Sequence, residues 1–473
     1  MAFDAAGRVL VTGTWNQDSF STPYAVTIRY SAAGDPLDTI YGTVGGRDIA
    51  VDPEGRIFTA GTSIARLDSG LHLVWIHQPF NKPCELYAGI KLTAAGDVVV
   101  AGSVNSGDST DWDCVAAQYR PNGTPVWEKT YSSQGAEYDR FLCVATDDAG
   151  NVYAGGYLRA PYPSVNENML VVKHDSTGNQ KWAWTVSTGD NNQDAVVGIA
   201  ADGYGGAYFT AQGDGIWRDL FLARIGADGE TLWTRRVSEG TSKAIAVDSA
   251  GYVYVVGESV VGYLSSEVVV LKYDSLGELQ WVRMMEGTGR YWDCGTQVAV
   301  TGSGSLVVAG YFNYPFQRGV VAQFNLEGDL LGRFVYDDYF MPLAMTVGPG
   351  NAIAVTGTAE YYAGPMVTMN CTYAPAVTEG PADLTVSSLR VNPSPAVDVV
   401  DIVLTGPDVR AIRVYDVRGS LVRVLPVSAR AQPQAVARWD GRDQQGRSVP
   451  AGPYYLRTVG TGRARTARAI LVR

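Results

Sequence analysis

The side chains that could do chemistry in this sequence are three histidines, five cysteines and a set of regularly spaced acids. A serine-type triad or a zinc hydrolase needs an imidazole beside a nucleophile or a second ligand. His72, His77 and His174 have no such partner by spacing, and His174 stands where equivalent segments carry Tyr30, Tyr119, Tyr273 or Phe324. It therefore reads as a strand residue. The cysteines (Cys84, Cys114, Cys143, Cys294 and Cys371) lie far apart without a CxxC pair, and their odd count leaves at least one thiol free. They read as small buried hydrophobes, with no bridge assignable. Glu85, Asp139, Asp194 and Asp293 each stand eleven residues before a turn glycine, and Asp113, Asn168, Asp219 and Glu267 open a later segment of the same units. A metal would need several of these on one centre; a carboxylate accepting backbone N–H groups at each strand start is the simpler role and the expected one. No catalytic residue, cofactor or metal site is expected.

A second set of residues suits recognition. Trp15, Trp112, Tyr157, Tyr162, Trp217, Tyr263, Phe312, Tyr314, Phe316, Tyr361 and Tyr362 fall in one kind of loop, beside Asn, Asp and Ser. Rings supply contact area and polar neighbours set orientation, so these residues form the candidate ligand-binding face, for glycan or protein.

What positions that face is a repeat. Period-two apolar runs of five to seven residues alternate with Gly/Asp turns, the signature of strands in an up-and-down meander. The first turn glycines are Gly7, Gly55, Gly96, Gly150, Gly205, Gly251, Gly304 and Gly350, at a mean spacing of 49 residues. In six units a second glycine follows six residues later, and it is expected to end the next strand. Trp127, Trp182, Trp233 and Trp281 lie four residues after further turn glycines, and Trp75 lies five after Gly70. A flat ring at a fixed place on an outer strand would fill the gap between neighbouring sheets. Asp38 and Gly332 take that slot in the first and seventh units, which should dock less firmly. A period of 40–50 residues with four strands per unit predicts a propeller. The fold class is all-β: an eight-bladed β-propeller over residues 1–375, with an incomplete last blade, a linker at 376–383, and a small immunoglobulin-like β-sandwich over 384–473.

The stretch IAVDSAGYVYVVGES…EVVVLKYDSLGELQW resembles the bacterial SBBP-type β-propeller repeat, and it is also similar to NHL repeats. The resemblance covers residues 1–375 and implies exported bacterial proteins of diverse role. Two propeller enzymes are excluded by the same residues. In HDSTGNQKW the Asp and Trp are displaced from a sialidase Asp box, and no adjacent Cys pair of the quinoprotein dehydrogenase kind exists. The tail resembles the immunoglobulin-like domain of the flagellar hook-capping protein and the related type IX secretion sorting domains. Asn392-Pro393, Tyr415–Gly419, Trp439–Asp443, Gly446, Gly452 and Tyr454–Leu456 carry the match.

Charge divides the chain the same way. From Ala376 onward there are fourteen Arg, no Lys and eight acids, so the tail is +6 against −11 for the whole. An acidic body lacks the basic footprint that nucleic acid requires. No run reaches the roughly 18 apolar residues of a membrane helix. The expectation is a secreted or cell-surface, non-catalytic binding or adhesion protein, with the tail engaging secretion machinery and an export signal lying upstream of Met1. The alternatives are a purely structural envelope component and a propeller-based hydrolase or lyase.

Overall fold

The computed structural model describes residues 1–15, 24–32, 34–42, 46–107, 111–133, 138–160, 166–186, 194–213, 219–237, 240–260, 266–285, 287, 292–313, 317–358, 367–369, 389–392, 400–405, 409–416, 421–427, 434–450, 452–460 and 466–471. The chain divides into two compact units, Met1–Pro375 and Ala376–Arg473. The linker expected at 376–383 lies outside the described residues.

In the first unit the strands form successive antiparallel sheets, each a meander whose strands pair in chain order. We number them sheet 1 (residues 2–42), sheet 2 (46–77), sheet 3 (84–131), sheet 4 (140–186), sheet 5 (194–237), sheet 6 (240–285), sheet 7 (294–339) and sheet 8 (341–369). Sheets 1 to 7 have four strands and sheet 8 has three among the described residues. In each, the first strand is innermost and touches the first strands of its neighbours.

One sheet of this kind cannot cover both its faces, and the core shows how the chain resolves this. Apolar residues gather in clusters that each straddle one seam. Phe58 and Ile64 of sheet 2 meet Leu86 and Val98 of sheet 3, and Tyr208 and Leu222 of sheet 5 meet Val253 and Val255 of sheet 6. The ring returns on itself, because Val9 and Val11 of sheet 1 share a cluster with Ala354 of sheet 8, and Phe3 packs beside it. This is a β-propeller.

Local chemistry explains the regularity. The turn Asp248–Gly251 is closed by Gly251 N donating to the Asp248 carbonyl at 3.0 Å, with Gly251 at φ +83°. The Asp248 carboxylate accepts from Ala250 N and Tyr252 N, and its other oxygen accepts from the Tyr254 hydroxyl at 2.9 Å. The residue types follow from the geometry: Gly for the left-handed position, Asp to hold the backbone.

The second glycine corrects the sequence expectation in most of the six units that carry it, although in sheet 2 strand Ile57–Gly61 does end there. Strand Val253–Val260 runs on past Gly257, and Ser305–Asn313 runs past Gly310. The inner strand opposite carries a β-bulge at this level in sheets 2 to 8. The bulge drives a carbonyl, that of Thr241 in sheet 6, against the glycine Cα, where any Cβ would collide. The glycine is a close-approach residue rather than a strand end.

The second unit is a sandwich. One sheet orders Leu389–Asn392, Val400–Thr405 and Gln434–Trp439; the other orders Leu421–Pro426, Val409–Tyr415, Gly452–Gly460 and Thr466–Leu471. Its core holds Ile412, Val414, Leu425, Trp439, Tyr454 and Leu456. Trp439 is fully buried, stacks edge-on to Tyr454 at 4.8 Å, and donates Nε1–H to the Arg442 carbonyl. The Tyr454 hydroxyl donates to the Pro450 carbonyl, so both polar tips are satisfied.

Candidate binding face and the joints that hold it

Four-stranded meanders put the tight Asp-x-x-Gly turns at one end of the ring and the longer loops at the other. The outer-strand indoles define the joints. Trp75, Trp182, Trp233 and Trp281 donate Nε1–H to a turn carbonyl of the next sheet, respectively Pro121, Ala227, Ser275 and Leu326, at 3.0–3.1 Å. The residue paired with each indole on the third strand is a cation: Arg66, Lys173, Arg224 or Lys272. Each cation reaches the same carbonyl as its indole. The ring itself lies on the turn glycine of the next sheet; a Cβ on Gly229 would stand 2.8 Å from Trp182, and one on Gly277 would stand 2.7 Å from Trp233. The tryptophans were legible in the sequence. The cations were not singled out, although their place in the motif KYDxxGxxxW, nine residues before the Trp, was visible.

The two sheets without the indole differ from each other. In sheet 1, Arg29 donates through Nε and Nη2 to one Asp38 carboxylate oxygen, Oδ2, at 2.7–2.9 Å, and it still donates to the Ser69 carbonyl of sheet 2. In sheet 7, Gly332 faces Gln323, whose amide turns back to Ser305 Oγ of its own sheet.

At the loop end the recurrent acids act as staples. Asp139 N donates to the Trp112 carbonyl of sheet 3, while its carboxylate accepts from Ser133 N, Ser133 Oγ and Arg159 N. Asp293 repeats this, donating to the Ser266 carbonyl and accepting from Gly287 N and Asn313 N. Asp139, Asp194 and Asp293 are buried. Asp139 and Asp293 each tie a crossover to the preceding sheet and to the second strand of their own sheet, the hydrogen-bonding role expected of them. Glu85 instead pairs with Arg140 at 3.5 Å. Among the described residues no group of three or more His, Cys, Asp or Glu could hold a metal ion.

Of the aromatic set, Trp112, Tyr157 and Phe312 have described side chains. Trp15 ends strand Val9–Trp15 and its side chain is not described, while Tyr162, Trp217, Tyr263, Tyr314, Phe316, Tyr361 and Tyr362 lie outside the described residues. Phe312 is 6% exposed and belongs to the core between sheets 6 and 7, so it lines no face. Tyr157 is half-buried, and that burial pushes its hydroxyl up to about 12. Trp112 is half-buried and stacks on Tyr138, with centroids 5.5 Å apart. The Arg140 guanidinium lies over the other ring of the pair, 5.4 Å from the Tyr138 centroid. Asp113 follows Trp112 on the strand and so projects to the other face; its carboxyl is held above the usual range by burial first and then by Asp111 and Asp139. Trp112, Tyr138, Arg140 and Glu85 thus meet over the joint of sheets 3 and 4, a stacked aromatic pair rimmed by charge. Tyr138 was missed because it sits in the crossover, not in the loop between second and third strands.

The remaining reactive groups are quiet. Cys84, Cys114, Cys143 and Cys294 are free and buried, and burial pushes the Cys84 and Cys294 thiols up to about 12. His72 sits in a tight turn against Asp68, and His77 faces Glu128.

Comparison with known proteins gives one family match: the FlgD Ig-like domain matches residues 396–463. Solved structures similar to the chain include PorZ, a surface component of the type IX secretion system of Porphyromonas gingivalis (13% identity, 100% of this chain and 59% of that one, TM-score 0.43). The Dos1 propeller is similar at 10% identity, over 75% of this chain and 88% of that one, with a TM-score of 0.49. A Bacteroides caccae protein of unknown function is similar at 14% identity, over 54% and 82%, with a TM-score of 0.33. A search of curated proteins finds no match. No helix of the described residues is long and apolar enough to cross a membrane.

Proposed function

We propose that this chain is a non-catalytic binding protein of the cell exterior, with the loop end of the propeller as its recognition face and the immunoglobulin-like unit serving export or anchoring. The eight sheets are eight blades, of the SBBP type. The observation that carries the reading is the Trp112–Tyr138 stack with the Arg140–Glu85 ion pair beside it. A flat apolar surface beside oriented charges suits a sugar ring or an extended polypeptide. The thiols and imidazoles favour a non-catalytic reading: four thiols are buried, which pushes them up and keeps them protonated, and His174 is sealed between two sheets.

The test is a glycan array and a peptide array probed with the full chain and with Trp112→Ala. A ligand retained by the full chain and lost by the variant, at unchanged melting temperature, supports the site and names the ligand class. Equal binding by both proteins places recognition elsewhere, and the reading falls.

A further inference from the structure

The joint between sheets 3 and 4 is built differently from its neighbours. Gln118 takes the place of the cation, and Trp127 Nε1–H donates to the Gln118 side-chain oxygen of its own sheet at 2.9 Å, not to a turn carbonyl across the seam. The Trp127 ring still crosses the joint, but it stacks on an imidazole, that of His174, with centroids 4.9 Å apart. The Tyr131 hydroxyl of sheet 3 reaches both His174 Nε2 at 2.7 Å and Gln180 Oε1 at 2.8 Å in sheet 4.

These hydrogen bonds fix where the protons are. Tyr131 has one proton, which it donates to Gln180. Its oxygen must then accept from His174 Nε2–H, so that in the neutral ring the lone pair lies on Nδ1. That nitrogen is buried and has no hydrogen-bond partner among the described residues. A second proton would arrive at Nδ1, in a fully buried ring, where nothing accepts it.

We propose that the joint of sheets 3 and 4 is an acid-sensitive latch, closed by neutral His174 and released when that imidazole takes up a proton. The surroundings favour the neutral form. Burial lowers His174 to about 4, with Lys129 on the outer strand of sheet 3 adding to the effect and Asp175, after its own strand, opposing it. Asp175 stays ionised throughout, because the Thr177 hydroxyl and the backbone of Thr177 and Asn179 hold its carboxyl far below the usual range. Tyr131 is pushed up to about 12 by burial and stays neutral. The equivalent positions in sheets 1, 3, 6 and 7 are Tyr30, Tyr119, Tyr273 and Phe324, rings that cannot be protonated in this range.

The sign follows from linkage. An imidazole with a folded value below its unfolded one contributes stability that is complete above about pH 6.5 and is lost as pH falls toward about 4. Full-chain unfolding in urea, followed by tryptophan fluorescence from pH 7.5 to 4, compares the native sequence with His174→Phe. The native protein should lose up to about 150-fold more in its folding equilibrium across this window than the variant, since at pH 4 the folded imidazole is itself half protonated. Parallel profiles overturn the latch. A second measurement stands if the variant does not fold: 15N-histidine NMR of the native protein should show the Nε2–H tautomer, with protonation near pH 4. Hydrogen exchange, normalised for intrinsic rate, should rise in Pro125–Tyr131 before it rises in Thr231–Val237. Protonation near pH 6.5 with both segments equally protected contradicts the proposal.

Discussion

Replacement of Trp182 tests the joint between sheets 4 and 5. The ring is 7% exposed, its Nε1–H donates to the Ala227 carbonyl at 3.0 Å, and it lies on Gly229. Trp182→Ala removes nearly the whole buried ring and should cost about 3–5 kcal/mol. Trp182→Phe keeps most of the contact and loses one hydrogen bond. Lys173 still donates to the Ala227 carbonyl at 3.4 Å, so that oxygen is not orphaned, and the cost should be about 1–2 kcal/mol. Gly229 provides the second half of a double-mutant cycle. Gly229→Ala suffers from φ +92° and from the Trp182 Cβ and Cγ, each 2.8 Å away; in the Trp182→Ala background the clash with the ring is gone, while the backbone strain and the Cβ contact remain. The two changes should couple by about 1 kcal/mol or more. Urea unfolding monitored by far-UV circular dichroism measures all four proteins. A Trp182→Ala cost below about 1 kcal/mol, or strictly additive effects, would refute the docking account.

Two further outcomes follow from the same geometry. Iodoacetamide at pH 8 should leave Cys84, Cys114, Cys143 and Cys294 unlabelled in the folded chain, since all four thiols are buried and their pKa values lie above 9; mass spectrometry of tryptic peptides reads this, and rapid labelling of any of the four contradicts their placement. The joint of sheets 7 and 8, where Gly332 replaces the indole, should show the earliest hydrogen exchange of any joint, at Leu330–Tyr339 and Met341–Val347. Equal protection at the joint of sheets 4 and 5 would show that the indole does not set seam strength.

The repeat was legible because the units obey the same local rules: alternation along the strands, a turn glycine in the left-handed region, and, in five of them, Trp on the outer strand. Those signals are short-range, and each recurs at the same offset. The bulge opposite Gly257 was not legible, because a glycine at a strand end and a glycine under a bulged neighbour leave the same letter in the sequence. The cation paired with four of the indoles, such as Arg224 with Trp233, stands at a visible spacing, but its partnership with the ring emerges only from strand register. The candidate face was half legible. Trp112 stood out as an aromatic in a variable loop, but the Tyr138 partner comes from a crossover whose position depends on the Asp139 staple. Phe312 shows the limit of composition: its loop-like neighbours Asn313 and Tyr314 hide that its ring turns into the seam.

The account rests on a ring that closes between its first and last sheets, and one cross-link tests that most directly. Phe3 lies against Gly348, so closely that a Cβ on the glycine would meet the Phe3 ring. In the full chain carrying Cys371→Ser, Phe3→Cys and Gly348→Cys, a short bis-maleimide should join the two introduced thiols within one molecule at micromolar concentration. Tryptic fragments containing residues 3 and 348 should then run as one linked species, with the four buried native thiols unmodified. If each introduced thiol reacts with monofunctional maleimide but the two are never bridged, the first and eighth sheets do not meet and the ring is not closed.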